Sequence, residues 1–165
     1  MGLEIERRFL VENEDWKSQV FLSEDFSQAY LNSSLDAWST RVRIIDNKKA
    51  YITLKSSINA STNYEFEYLI PIKDAAELIK LSKYKITKTR YQIKINKKHW
   101  IVDIFGGSNF PLKIAEIELN HQNEEIQIPS WCAQEITGIK SLSNASLATV
   151  SYTHLRAHET KATLV

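Results

Sequence analysis

The stretch that decides the fold is Gly2–Val11, which reads GLEIERRFLV. Successive side chains of a β-strand point to opposite faces, so apolar and charged residues separate onto two sides of such a strand. The charged side carries Glu4, Glu6 and Arg8. Taken alone, this pattern is typical of an edge strand with a solvated face. The segments that follow decide whether the charges face solvent or one another.

The two-residue period recurs downstream and predicts seven further strands. With the first, the predicted strands are residues 2–11, 26–31, 38–45, 49–55, 63–70, 84–95, 99–105 and 112–119. Short connections join most of them, and Asp46-Asn47 is the clearest hairpin turn signal. About eight antiparallel strands form a closed barrel with room inside for one small ligand. The sequence therefore predicts a mainly β fold, an eight-stranded antiparallel closed barrel or tunnel, with a few short helices.

Three segments lie outside this strand pattern. Residues 12–25 are polar with isolated apolar anchors, and we interpret them as a loop or a short helix. Residues 74–81 start with Asp74 and have apolar residues at helical spacing, which predicts a helix. Residues 129–136 are predicted to form a second short helix.

Composition narrows the function classes. The net charge of +1 in 165 residues gives no overall basic footprint, so no nucleic-acid partner is expected. The single cysteine, Cys132, excludes an internal disulfide and fits a reducing compartment. No apolar run approaches the ~20 residues needed to cross a bilayer, and the first residues lack a signal-peptide pattern. We expect a soluble, cytoplasmic protein without a membrane partner.

The charges of the predicted strands come mostly as like-charged pairs two residues apart. Such pairs repel unless opposite charge lies between them. The acidic positions are Glu4, Glu6, Glu65, Glu67, Asp103, Glu116 and Glu118. The basic positions are Arg8, Arg41, Arg43, Lys55, Lys88 and Arg90, with Lys94 on the same strand face as the last two.

Two kinds of partner would relieve this repulsion. Clustered carboxylates without His or Cys suit Mg²⁺ or Mn²⁺, and arginine forks match phosphate oxygens. Mg²⁺ is usually held by a few carboxylates together with substrate phosphates, so both sets fit one cavity that holds a metal-bound polyphosphate. An apolar ligand is excluded if the charges point inward, because desolvating them would exceed a domain's stability of about 5–15 kcal/mol. The alternative is that the charges face solvent and form surface salt bridges.

The chain also resembles the CYTH family, or triphosphate tunnel metalloenzymes. Glu4-Ile-Glu6-Arg-Arg8 resembles the N-terminal E-x-E-x-K signature of that family. The likeness continues in order through Gln28-Ala-Tyr30-Leu, Arg41-Val-Arg43, Thr53-Leu-Lys55, Tyr64-Glu65-Phe-Glu67-Tyr, Lys88-Thr-Arg90-Tyr, Trp100-Ile-Val-Asp103, Ala115-Glu116-Ile-Glu118 and Ile136-Thr-Gly138. One E-x-E-x-K is a weak signal, whereas this ordered set covers nearly all of residues 1–148.

The resemblance implies a tunnel that acts on a small-molecule triphosphate with Mg²⁺ or Mn²⁺. It implies that the seven acidic positions are metal ligands and that the six basic positions, without Lys94, bind phosphate. The residues it implies for catalysis are Glu4, Glu6, Arg8, Glu116 and Glu118. Short stand-alone bacterial members resemble inorganic triphosphatases, so hydrolysis of tripolyphosphate is the expected activity. The alternatives are a class IV-type adenylate cyclase, a thiamine or nucleoside triphosphatase, or a non-catalytic polyphosphate-binding module. A homodimer is consistent with the exposed strands of tunnel proteins.

Three features depart from the family pattern. The third signature residue is Arg8 instead of lysine, which keeps the charge but is bulkier and cannot lose its proton. The glycine usual before the tyrosine of the second motif is Ala29. Residues 149–165 have no family counterpart and resemble a non-native read-through tail, so we interpret residues 1–148 as the tunnel domain.

Overall fold

Nine strands and two short α-helices make up the described part of the chain. The computed structural model describes residues 2–32, 37–150 and 154. The strands are β1 (Gly2–Val11), β2 (Val20–Tyr30), β3 (Ser39–Ile45), β4 (Lys49–Ser57), β5 (Thr62–Leu69), β6 (Tyr84–Ile95), β7 (Lys98–Phe105), β8 (Lys113–Glu118) and β9 (Cys132–Glu135). The helices are α1 (Ile72–Leu81) and α2 (Asn144–Thr149). Short 3₁₀ turns cover Asp15–Gln19, Gly107–Asn109 and Lys140–Leu142.

β1 closes the sheet into a barrel. The strand order is β5-β4-β3-β2-β6-β7-β8-β1, and neighbouring strands are antiparallel. Residues 6–10 of β1 pair with β8, while residues 2–5 pair with β5 at the other end of this order. The predicted eight-stranded antiparallel barrel is therefore confirmed. β9 lies outside the closed ring and pairs with the end of β1.

The charged strand faces point into the barrel. Lys88 is 4% exposed, Asp103 0% and Glu116 9%, although each is charged. The residues next to them along each strand point to the outside of the barrel. For example, Val102 and Ala115 are fully buried in an outer apolar cluster. This burial excludes the alternative in which these charges are simply solvated.

Apolar packing on the outside covers two parts of the barrel. The larger cluster joins Phe9, Trp16, Trp100 and Trp131 on the side of β1, β6, β7 and β8. The rings of Trp100 and Trp131 meet edge to face with centroids 5.7 Å apart, a favourable aromatic geometry. The second cluster lies around β3 and β4. Helix α1 contributes the buried Ala75 and some partly buried side chains to it. Burying these side chains supplies much of the driving force for folding.

A third apolar cluster lies inside the barrel at one end. It contains side chains that share the inward face with the buried charges, together with two residues from the C-terminal segment. Its buried members are Tyr30, Ile86, Phe105, Leu112, Ile114, Ile136 and Leu147, and the partly buried Leu10 packs against them. Because antiparallel neighbours alternate in direction, the end of β2, the start of β6, the end of β7 and the start of β8 meet at the same rim. Ile136 and Leu147 therefore cover that end of the interior.

Two predicted hairpins have the expected turn geometry. Asp46 and Asn47 have φ values of 50° and 54°, and Asn96 and Lys97 have 48° and 67°. Positive φ at both central residues is the mirror-image turn whose twist matches that of paired strands. The hairpins predicted between β3 and β4 and between β6 and β7 are confirmed.

One local prediction is wrong over part of its range, and a second is wrong. Only Asp15–Gln19 is helical within residues 12–25, because β2 starts at Val20 and pairs with β6 over almost its whole length. The helix predicted for residues 129–136 is a strand instead, since β9 finds a free edge on β1 and pairs Cys132 with Val11. In both segments, long-range strand pairing overrides a weak local pattern.

The helices differ from the prediction mainly at their boundaries. α1 begins at Ile72, two residues before the predicted start. α2 was not predicted, and Ser143 caps it by accepting a hydrogen bond from the Ser146 amide. None of the described helices is long and apolar enough to cross a membrane.

Candidate active site

Inward-facing residues change character in the same order along two neighbouring strands. On β1 the order is apolar Leu10, then Arg8, then Glu6 and Glu4. On β8 the matching order starts at Ile114, which lies in the apolar cluster inside the barrel.

Glu116 and Glu118 follow Ile114 on that strand. In the β1–β8 register, Glu116 lies opposite Arg8 and Glu118 lies opposite Glu6. On both strands, charged residues thus follow directly after the closed apolar end.

The acidic cluster consists of Glu4, Glu6, Glu65 and Glu118 with Lys55 among them. The ammonium of Lys55 is bonded to Glu4 and lies 3.5 Å from Glu6 and 3.3 Å from Glu65. Asn63 also donates to Glu4, at 3.4 Å. Glu118 is exposed and has no ion pair with another described residue. The carboxylates therefore outnumber the cation that they surround.

The shortage of positive charge in the acidic cluster shows in two pKa values. Burial, followed by repulsion from Glu6, raises the pKa of Glu4 from 4.5 to about 7, although Lys55 opposes the shift. Burial alone would lower the pKa of Lys55, but the three carboxylates outweigh it and raise that pKa above its ordinary value. A further cation would relieve this repulsion.

The donor chemistry of the acidic cluster fits a hard divalent cation. Carboxylate oxygens are the ligands that Mg²⁺ and Mn²⁺ prefer, and three of them already converge on the positive charge of Lys55. Across residues 2–32, 37–150 and 154, however, no group of three or more His, Cys, Asp or Glu side chains is arranged to hold an ion directly. The Lys55 ammonium occupies the shared space, so a metal would have to displace it.

The basic wall consists of five cations on β1, β3 and β6, with three carboxylates among them. The cations are Arg8, Arg41, Arg43, Lys88 and Arg90, and the carboxylates are Glu67, Asp103 and Glu116. Asp103 accepts from Lys88 at 2.5 Å and from Arg90 at 2.8 Å. Arg90 also reaches Glu116, at 3.1 Å. The wall carries more positive than negative groups.

Several pKa values in the basic wall are shifted by burial and by neighbouring charges. Burial would raise the pKa of Asp103, but Arg90 and Lys88 outweigh it and hold that pKa well below its usual range. Burial lowers the pKa of Lys88 to about 8, although Asp103 opposes the change. Burial and repulsion from Arg41 lower the pKa of Arg43, which is the sign of surplus positive charge.

Three buried polar atoms inside the barrel have no hydrogen-bond partner among the described residues. They are Nε of Arg41, Nε of Arg43 and Oε1 of Gln28. A buried polar atom without a partner carries a desolvation penalty, so such atoms are usually satisfied by water or a ligand. Two unpaired guanidinium donors beside surplus positive charge are suited to an anion with several oxygens, such as a polyphosphate.

Arg8 has a different set of contacts from the other cations. Its Nε donates to Glu116 at 3.2 Å, and its second terminal nitrogen donates to the Leu142 carbonyl at 3.0 Å. The residue is 7% exposed. Arg8 therefore joins the tunnel wall to the C-terminal segment.

All predicted site residues lie on inward strand positions, but they fall into two groups. Glu4, Glu6, Glu65 and Glu118 form the acidic cluster. The other carboxylates expected as metal ligands, which are Glu67, Asp103 and Glu116, are paired with arginine or lysine in the basic wall. Lys55 pairs with carboxylates of the acidic cluster, whereas the other predicted phosphate-binding residues belong to the basic wall.

Sequence reasoning missed the neutral polar members of the site. Thr53 accepts from Arg41 and donates to Glu67, so it orients both. Gln28 is 1% exposed and lies on the inward face of β2. The sequence did contain a sign of this role. Gln28 lies between Phe26 and Tyr30 on one strand face, and a polar residue is unusual at such a core position. A cavity of about 870 Å³ lies elsewhere, beside Arg7, and no predicted site residue lines it.

A closed antiparallel β-barrel with acidic and basic side chains in its interior is a charged tunnel. Comparison with known sequences gives the family. Residues 2–152 match the CYTH domain family, and the chain belongs to it. A curated relative, the inorganic triphosphatase of Acetivibrio thermocellus, is 35% identical over 158 residues, which are 94% of this chain and 99% of the relative.

Solved structures agree with this family. The inorganic triphosphatase NE1496 is 28% identical with a TM-score of 0.66, over 88% of this chain and 93% of that one. The protein PH1012 from Pyrococcus horikoshii OT3 is 26% identical with a TM-score of 0.59, over 73% of this chain and 80% of that one.

Proposed function

We propose that this chain is a divalent-metal-dependent hydrolase of a triphosphate, with inorganic tripolyphosphate as its substrate. The observation that carries the proposal is the charged barrel interior, where a basic wall with surplus positive charge and an acidic cluster with surplus negative charge line one tunnel. Two similar proteins, one by sequence and one by structure, are named inorganic triphosphatases. A tripolyphosphate has only phosphoryl groups to bind, which matches a site built almost entirely of charged side chains.

The basic wall would bind and orient the phosphate chain. Arg41, Arg43 and Arg90 present guanidinium groups, and two of them have a free Nε for an anionic oxygen. Lys88 supplies an ammonium held between Asp103 and the rings of Phe26 and Phe105. Neutralising the chain stabilises the charge that develops on the leaving diphosphate.

The acidic cluster would hold the metal and handle the proton. Glu4, Glu6, Glu65 and Glu118 are the proposed Mg²⁺ or Mn²⁺ ligands. When bound, the ion would polarise phosphoryl oxygens and lower the pKa of an attacking water. A carboxylate of the cluster would accept the proton of that water as the bond between the terminal phosphorus and the leaving oxygen breaks.

The test is the rate constant kcat/KM for tripolyphosphate, ATP and thiamine triphosphate at saturating Mg²⁺ or Mn²⁺, with the products identified. The proposal predicts phosphate and diphosphate from tripolyphosphate, at a higher kcat/KM than for either other substrate. Cyclic AMP and diphosphate from ATP would identify a cyclase instead. Tight tripolyphosphate binding in calorimetry without turnover would identify a binding module.

Location and assembly are also proposals. A cytoplasmic location is supported by the lone, half-buried thiol of Cys132, which needs no oxidising compartment. A homodimer is supported by apolar side chains on the outer face of β4 and β5, where Tyr64 is 46% and Tyr68 51% exposed. The near-neutral composition supports the absence of a nucleic-acid partner.

A further inference from the structure

The ring of Phe26 lies among three cations of the basic wall. The guanidinium carbon of Arg90 is 5.1 Å from the ring centroid, that of Arg43 is 5.5 Å away, and the ammonium nitrogen of Lys88 is 5.8 Å away. A cation within about 6 Å of a ring centroid is attracted by the negative potential of the ring face. Phe26 is 4% exposed, and this attraction is stronger where water is excluded. One uncharged side chain therefore attracts cations from two strands, β3 and β6.

Strand pairing places Phe26 at the centre of these contacts. β2 lies between β3 and β6, and Phe26 is opposite Ile45 on β3 and Lys88 on β6. Arg43 and Arg90 each lie two residues from those opposite positions, on the same inward face. The cations therefore reach the ring from both sides of β2.

Glu24 shares this face of β2, but its carboxylate is directed to a neutral partner. In the β2–β6 register Glu24 is opposite Arg90, yet its carboxylate accepts from the Gln92 side chain at 2.7 Å. Arg90 instead pairs with two carboxylates of the basic wall. From β2, it is thus the ring of Phe26 that meets the cations.

An aromatic ring and a carboxylate relieve repulsion between cations in different ways. A carboxylate at this position would neutralise a cation and would itself repel a phosphate chain. An aliphatic side chain would fill the space without attracting the cations. A ring attracts all three and adds no net charge, so the cations stay in place and keep their charge for phosphate oxygens. Cations that are already in place also spare the ligand the cost of ordering them.

We propose that Phe26 is a positioning residue that holds Arg43, Lys88 and Arg90 in place for a phosphate chain through the face of its ring. The proposal rests on the proposed function for its ligand, because these three cations are the ones assigned to phosphate binding. The contact between the ring and the cations itself belongs to the ligand-free protein and does not depend on the reaction.

The first measurement is the melting temperature, in EDTA, of proteins in which the ring of Phe26 carries one, two or three fluorine atoms. Fluorine withdraws electrons from the ring face and weakens its attraction for cations, while the side chain keeps its shape and apolar character. The melting temperature should fall with each added fluorine, by a total of about 4 °C or more for three. Apolar packing alone predicts no such fall.

The same fluorinated series at Phe66 is the matched control. Phe66 packs against the uncharged ring of Trp38, with centroids 6.2 Å apart, on the outer face of β5. The melting temperature of this series should stay close to that of the wild type.

The second measurement is the affinity for tripolyphosphate, as Kd by calorimetry in EDTA and as KM at saturating Mg²⁺. The trifluorinated ring at position 26 and the substitution Phe26→Leu should each raise both constants by about tenfold, the effect of one strong cation–π contact. Phe66→Leu should leave both constants unchanged.

A melting temperature that does not fall with fluorination of Phe26 would overturn the proposal. Unchanged Kd and KM in both variants of Phe26 would overturn it as well. If the wild type neither binds nor hydrolyses tripolyphosphate, the proposed function fails, and positioning for phosphate fails with it whatever the melting temperatures show.

Discussion

At the scale of single residues, Lys55 shows how the site balances charge. One ammonium lies within 3.5 Å of Glu4, Glu6 and Glu65. In the acidic cluster, negative groups therefore outnumber positive ones. In the basic wall positive groups are in excess: Arg41 and Arg43 share Glu67 at 3.6 and 2.8 Å. Each region lacks the charge that a metal-bound polyphosphate would bring. The two regions should therefore respond differently to neutralising substitutions.

Glu6→Gln and Arg43→Gln should separate metal binding from phosphate binding. Glu6→Gln removes a proposed metal ligand and should weaken Mn²⁺ binding by about tenfold or more, the usual effect of a lost electrostatic contact of about 1.4 kcal/mol. Arg43→Gln should leave Mn²⁺ affinity nearly unchanged and weaken tripolyphosphate binding by a similar factor. Electron paramagnetic resonance of free Mn²⁺ and calorimetry with tripolyphosphate measure the two affinities.

Glu77→Gln is the control for that comparison. Glu77 lies exposed on α1, away from the barrel interior, and its neutral variant should behave as the wild type in both measurements. Equal Mn²⁺ affinity in Glu6→Gln and the wild type would contradict the metal assignment. Loss of Mn²⁺ binding in Arg43→Gln alone would contradict the division of the tunnel into two regions.

The raised pKa of Glu4 makes the stability of the metal-free protein depend on pH. The folded state binds this proton more tightly than the unfolded state, so the stabilisation is complete below about pH 4.5 and is lost as the pH rises through about 7. The full shift corresponds to at most about 3 kcal/mol. Glu4→Gln mimics the protonated carboxyl and should not show this loss.

The measurement is the melting temperature in EDTA from pH 4.5 to 8 for both proteins. The wild type should melt at a progressively lower temperature than Glu4→Gln as the pH rises. A difference between them that stays constant over this range would show that Glu4 titrates normally.

At the scale of elements, period-two patterns predicted most of the barrel because both faces of its strands have a distinct chemical character. The two faces of β1 could be separated from Gly2–Val11 alone, but the inward direction of its charged face depended on the strands that follow. The same reasoning failed for β9, because its four residues show no alternation of apolar and polar side chains. They form a strand only because β1 has a free edge to pair with. The prediction also missed the start of β2, because the pairing of that segment with β6 cannot be recognised from local sequence.

The turn between β3 and β4 allows a test at this scale. Asn47 has φ of 54°, a conformation that asparagine tolerates and a β-branched residue does not. Asn47→Val should destabilise the protein by about 1–2 kcal/mol, which lowers the melting temperature by roughly 2–8 °C in a chain of this size.

Lys49→Val is the matched control for the turn, because Lys49 is exposed but lies in the extended strand β4. Its melting temperature should stay close to that of the wild type. Equal melting temperatures for both variants would mean that the left-handed turn is not maintained in solution.

At the scale of the whole molecule, closure of the barrel turns separate strand patterns into one site. The sequence contained the list of inward charges, and the family resemblance supplied their expected roles. It could not show that Glu67, Asp103 and Glu116 pair with cations while Glu4, Glu6 and Glu65 share one lysine. That division depends on the register of eight strands and on the C-terminal segment that closes one end.

The most direct test of the account is steady-state phosphate release from tripolyphosphate by the wild type, Glu6→Gln and Glu77→Gln, with Mg²⁺, Mn²⁺ or EDTA. We expect metal-dependent release by the wild type and Glu77→Gln, none with EDTA, and a rate at least about 100-fold lower for folded Glu6→Gln, as for loss of a group that acts in the transition state. Release that persists in EDTA, or full activity of Glu6→Gln, would contradict a metal-dependent reaction at the acidic cluster.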